Sequence, residues 1–228
     1  MGPLRFLLAL ALVAAPCGAA AQSLRGSVEG GVEIFPETPL FADQADAPAQ
    51  PSLELRLQAA AALAERIDFV FSARAEATPL AEEPVFADVG EGFIEYQHGR
   101  FAARAGVLDE PWGVLDANNP TNIFNQFDLV DDFDGDSRLG QPGATVSYLG
   151  DGFTLTLLAA PVARERRLAE GADRFRQTGL PLRDARFEGG QAGATLATRA
   201  AVVRDNLELT LTHFHGTSRE PEFELDLG

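Results

Sequence analysis

Lysine is absent from this 228-residue chain: all 18 basic residues are arginine, set against 34 acidic ones for a net charge of −16. An acidic balance of that size argues against a nucleic-acid partner. The only cysteine, Cys17, lies within the first 21 residues. Those residues, MGPLRFLLALALVAAPCGAAA, have the form of a secretory leader. Arg5 supplies the positive start, Phe6 to Ala15 an apolar core too short to span as a helix, and Ala19-Ala20-Ala21 a small-residue cleavage site before Gln22. A lipidated alternative would use Cys17, but Pro16 stands where a small residue is normally needed. Cleavage at Gln22 leaves a mature segment, 22–228, without a thiol, which excludes a disulfide framework. Stability then rests on backbone pairing and packing. No apolar run of about eighteen residues remains, so a helical membrane span is excluded.

Catalytic signatures are missing too. There is no nucleophile elbow, no HExxH and no phosphate-binding glycine loop. Three histidines and scattered serines establish no Ser–His pair, so no enzyme activity and no cofactor are expected. Gly90 and Gly92 read as strand glycines.

What the chain does have is period-two alternation. In LRGSVEGGVEI, Leu24, Val28, Val32 and Ile34 are apolar, with polar residues between. In SLELRLQAAAAL, Leu53, Leu55, Leu57, Ala59, Ala61 and Leu63 take one face, and Ser52, Glu54, Arg56 and Gln58 the other. In IDFVFSARAEA, Phe69, Phe71, Ala73 and Ala75 oppose Asp68, Ser72, Arg74 and Glu76. Further strands are expected at 89–97, 101–108, 144–149, 152–160, 191–199 and 206–215, and FELDL at 223–227 begins a tenth.

The connections sort themselves. Ala64–Arg66, His98–Arg100 and Leu149–Asp151 are tight, and Ala201–Asp205 is slightly longer. Between them fall the long stretches 36–51, 78–88, 109–143 and 161–190. Short turns at one end and long loops at the other predict an all-β, antiparallel up-and-down transmembrane β-barrel. Phe69, Phe101 and Phe153 start strands just after tight turns, and Tyr96 and Tyr148 end strands just before them. All five fall on the apolar face by parity, the placement of an interfacial aromatic girdle. The opposite face carries Glu54, Arg56, Arg74, Glu76, Glu95 and Arg104. An arginine facing lipid near the midplane would cost about 2–4 kcal/mol, so the expected register is polar inward, apolar outward.

The segment from Glu110 to Gly143 has neither period and carries five aspartates between Asp128 and Asp136. Within it, Trp112-Gly113, Asp116, Asn119-Pro120, Asn125-Gln126-Phe127-Asp128-Leu129 and Leu139-Gly140-Gln141-Pro142 resemble the porin-like outer-membrane β-barrels of Gram-negative bacteria. PVARERR (161–167) and HFHGTSREP (213–221) are similar to further landmarks of that group. The resemblance runs from about residue 50 onward. It implies export through the periplasm to the outer membrane and passive or facilitated passage of solutes. Members of the group are longer and usually close on a strand ending in an aromatic residue. This chain stops at EFELDLG, so it is expected to be an N-terminal part of about nine or ten strands.

Large barrels leave an aqueous channel that an inward-folding loop narrows. Asp128, Asp131, Asp132, Asp134 and Asp136 are expected to line such a constriction, with Arg164, Arg166, Arg167, Arg174 and Arg176 facing them. Solvated loop charges or contacts to lipopolysaccharide phosphates remain the plainer alternative. Asp132, Asp134 and Asp136 imitate the start of a calcium loop, but Ser137 replaces its turn glycine and Gly143 its bidentate glutamate. His213 and His215 share a strand face without a third ligand, so no metal site is expected. The expected function is diffusion of small polar or anionic solutes, with outer-membrane lipid, lipopolysaccharide and the solutes as partners and a homo-oligomer left open. A non-conducting surface or structural barrel is the second reading, and a soluble periplasmic β-sandwich the third.

Overall fold

A computed structural model describes residues 22–112, 124–131, 137–176, 178–179, 186–187 and 193–217. The leader, the 223–227 segment, Asp132, Asp134 and Asp136 lie outside the described residues. Nine strands run in chain order: β1 (Gln22–Ile34), β2 (Ala49–Ala64), β3 (Ile67–Ala77), β4 (Val85–His98), β5 (Phe101–Leu108), β6 (Gln141–Gly150), β7 (Phe153–Ala160), β8 (Thr195–Arg204) and β9 (Leu207–His215). They form one antiparallel sheet in which each strand pairs only with its chain neighbours. No helix occurs among the described residues. The described residues form an all-β up-and-down meander, and among them β1 and β9 are the edge strands of an open sheet.

Four connections have two residues: 65–66, 99–100, 151–152 and 205–206. Gly99, Gly152 and Asp205 adopt φ of 58°, 78° and 53°, the positive values that two-residue hairpins demand. The long connections, 35–48, 78–84, 109–140 and 161–194, all leave from the other end.

Several strand boundaries differ from expectation, and two of them have a visible reason. β8 continues through Ala201, Val202 and Val203 to Arg204, where a longer connection was expected. Ala200 to Val203 is an unbroken apolar run, so alternation cannot reveal that it pairs with Glu208–Leu211. β4 begins at Val85 because the register shifts at Gly90: Ser72 pairs with Glu91, and Ala73 with Val89. Gly90 is the extra residue of a β-bulge and inverts the parity on either side of itself.

The ladder fixes two faces. Leu55 lies between Val28 and Ala75, and Leu157 between Val146 and Thr198. On the other face, Arg56 lies between Ser27 and Arg74, and Thr156 between Ser147 and Arg199. The long loops fold over this second, inner face. Phe93, Leu108, Leu158, Ala160 and Ala197 of the strands pack there with Trp112 and Phe124 of the loop after β5, flanked by Val70 and Phe214. The inner face is therefore charged in one part and apolar in another, where the sequence pattern suggested polarity throughout.

Candidate functional site

On β2 and β3 the inner face sets like charges side by side. Arg56 opposes Arg74, and Glu54 opposes Glu76. Such pairs destabilise a bare sheet. The loops supply the counter-charges. Arg74 forms ion pairs with Asp128 and Asp131, while Arg56 pairs with Glu54 on its own strand. Glu76 has Arg167 at 3.6 Å, and Arg167 also meets Asp128 at 3.1 Å. The Arg167 guanidinium lies 3.6 Å from the centroid of the Phe86 ring, and Arg74 lies 5.6 Å from the same ring. Two arginines thus converge on one carboxylate above one aromatic face.

Asp128 is fully buried. Its Oδ1 accepts from the amides of Val130 at 3.1 Å and Asp131 at 3.2 Å, so the side chain also shapes its own turn. The surrounding backbone is tied in the manner of a small sheet. The amide of Asp128 donates to Ser137, and that of Leu129 to Arg167. Phe127 bridges to Arg138, and Asp128 to Arg167. Asp131 is a quarter exposed. Burial pushes its carboxyl up, but the Ser137 hydroxyl and Arg74 outweigh burial and hold it below the usual range.

Two further clips anchor the loop after β5. Asn125 is fully buried; its Oδ1 accepts from the Glu110 amide at 2.9 Å, and its Nδ2 donates to the carbonyls of Leu108 at 2.8 Å and Leu139 at 2.9 Å. Every hydrogen-bonding direction of that amide but one is used. Glu110 stands 2.7 Å from Arg104 of β5, yet desolvation outweighs the arginine and raises its pKa. At the β4 bulge, Arg164 reaches Asp88 at 2.9 Å and donates to the Gly140 carbonyl at 2.5 Å. A Cβ on Gly140 would strike the backbone oxygens of Val89 and Gly90, so only glycine lets the loop pass the bulge this closely.

The sequence-derived residues divide as follows. Asp128 and Arg167 are brought together, and Asp131 joins them through Arg74. With its carboxylate enclosed between Arg74 and Arg167, Asp128 ties the loop after β5 to β3 and to the loop after β7. Arg166 lies over the Phe127 ring at 5.4 Å and bonds Gln126. Arg174 and Arg176 turn away from the aspartates to the first long loop. Arg176 pairs with Asp43 at 2.5 Å, and Arg174 donates to the carbonyls of Glu37 at 2.7 Å and Ala45 at 3.3 Å. Phe35 and Phe175 meet edge to face at 5.5 Å beside them. The loop after β7 therefore crosses the inner face to reach the loop after β1.

Phe69, Tyr96, Phe101, Tyr148 and Phe153 all lie on the outer face near the short-turn end. Phe101 and Tyr148 are 5.1 Å apart, and Tyr148 and Phe153 5.5 Å apart. Asn125, Glu110 and Trp112 as anchors were missed at the level of roles, although Asn125 and Trp112 already stood out as landmarks. Their partners lie on strands that the loop's own sequence does not specify. Compared with known proteins, the chain matches no family model and no curated sequence at a significant level.

Proposed function

We propose that the sheet forms wall of a porin-like outer-membrane barrel that admits small polar solutes, its long loops folded inward to narrow the passage. The observation that carries this reading is the outer face. Leu24, Val28, Leu55, Ile94, Leu157, Leu196 and Leu211 all stand open there. Among the large apolar strand residues that are exposed, only Leu63 beside a bulge and Leu149 and Val203 near the short turns depart from it. Open apolar side chains recur on this one face from β1 to β9, unlike the singly scattered apolar residues on the surface of a soluble monomer. Acyl chains match it, and a closed ladder satisfies the backbone within them. The aromatic residues near the short turns suit the interface, and the leader suits export.

A second reading, a non-conducting structural barrel, draws on the apolar cluster of Trp112 and Phe124 against Phe93, Leu108 and Leu158. Planar-bilayer recording of the full-length protein separates the two. Stepwise current is the expected result. Insertion without current steps would favour the structural barrel, and recovery in the soluble fraction without detergent would overturn both.

A further inference from the structure

The inner face of β6–β9 differs from that of β2–β5. One lateral row, fixed by the ladder, reads Ser147, Thr156, Arg199, Thr212. Neighbouring strands are about 4.8 Å apart, so a guanidinium is flanked on both sides by hydroxyls within reach of one small molecule. Arg56, Arg74 and Arg104 on the same face each have a carboxylate partner. Arg199 has none among the described residues, and its Nε is buried without an acceptor. Thr210, diagonal to it on β9, likewise has a buried Oγ1 without a partner. Two buried polar atoms without partners, on adjacent strands, carry a desolvation cost that a bound acceptor would offset. Towards the long loops the row is bounded by Leu158, Ala197 and Phe214, an apolar wall.

We infer that Arg199 and its flanking hydroxyls form a binding site for a small hydroxylated carboxylate. The guanidinium offers a planar fork to the carboxylate. Ser147 and Thr156 bond each other at 2.9 Å and between them keep one donor and further lone pairs for the ligand's hydroxyls, as does Thr212. The site deepens the porin-like reading and rests on it, naming a class of solute for that passage. The acidic charges of β2–β5 are kept away from it, since each strand between adds one more spacing.

Isothermal titration of the full-length protein in detergent, with gluconate, acetate and sorbitol as probes, tests the site. Gluconate should bind more tightly than acetate or sorbitol. Arg199→Gln should weaken gluconate by about tenfold, the loss of a charge-assisted pair. Arg199→Lys, which keeps the charge and the stem, should weaken it several-fold and serves where the glutamine variant does not fold. Thr156→Val with Thr212→Val should lower gluconate binding and leave acetate unchanged. Gluconate binding unaffected by Arg199→Gln or Arg199→Lys overturns the site, as does equal binding of gluconate and acetate by the unaltered protein. Bilayer current judges the porin-like reading separately. Current with Arg199-independent binding sinks the site alone; Arg199-dependent binding without current sinks only the passage.

Discussion

On the outer face Leu55 is 46% exposed between Val28 and Ala75. One residue further along the same strand, Arg56 lies among charges that loops and neighbours balance. The contrast repeats across the sheet. The outer side chains are mostly apolar and many stand open, whereas the inner arginines of β2–β5 are matched one by one with carboxylates. The apolar side of the sheet stays open while the loops are spent on its ionic side, the reverse of a sheet that buries its apolar face under its loops. The loops are then part of the inner face's electrostatics as well as connections.

The contrast can be broken most severely from the inside. Asp128→Ala leaves Arg74 and Arg167 without their shared buried carboxylate, and a loss of about 3–5 kcal/mol is expected. Urea unfolding followed by the emission of Trp112, buried in the loop core, reads it. On the outer face, Leu157→Arg should cost about 2–4 kcal/mol in a bilayer. Thr156→Arg, one residue away and facing inward, should cost far less, and equal costs would erase the distinction between faces. Asn125→Ala comes next. It strands the Glu110 amide, the strand-end carbonyl of Leu108 and the loop carbonyl of Leu139, with about 1–3 kcal/mol expected from a buried unsatisfied group and protease cleavage appearing within 109–140.

Acid titration sharpens the comparison further, because two loop carboxyls respond with opposite sign. Asp131 is held below its ordinary 3.8, so its stabilising contribution is present above 3.8 and is lost as pH falls through the lowered value. Glu110 is raised above its ordinary 4.5, so its ionisation costs stability as pH climbs from 4.5 through the raised value. Asp131→Asn should flatten the first limb of the urea midpoint against pH, and Glu110→Gln the second. The smallest effect is expected at the Arg100–Asp151 pair on the short-turn end, where both side chains are about half or more exposed. Asp151→Asn should leave the unfolding midpoint unchanged.

Much of this was legible in the sequence. Alternation located the nine strands, the sorting of turn lengths gave their order, and parity assigned Leu55 and Arg56 to opposite faces. It failed where one residue type fills both faces, as at Ala200–Val203, and where Gly90 adds a residue. The path of the long loops was not legible. Asp128 looked like one of five equivalent aspartates, but its burial depends on Arg74 and Arg167, 54 and 39 residues away along the chain. Likewise, nothing in the loop after β7 marks Arg174 and Arg176 for the loop after β1 and Arg167 for Asp128.

Because residues 22–228 contain no cysteine, a single thiol can be placed on either face of that segment and labelled without background. Fluorophores at Leu55→Cys and Leu157→Cys, in bilayers carrying lipid-borne quenchers, should be quenched by the lipid and spared by aqueous iodide. Those at Arg56→Cys and Thr156→Cys should show the reverse. Iodide reaching positions 55 and 157 while lipid quenches 56 and 156 would contradict the assignment of the two faces.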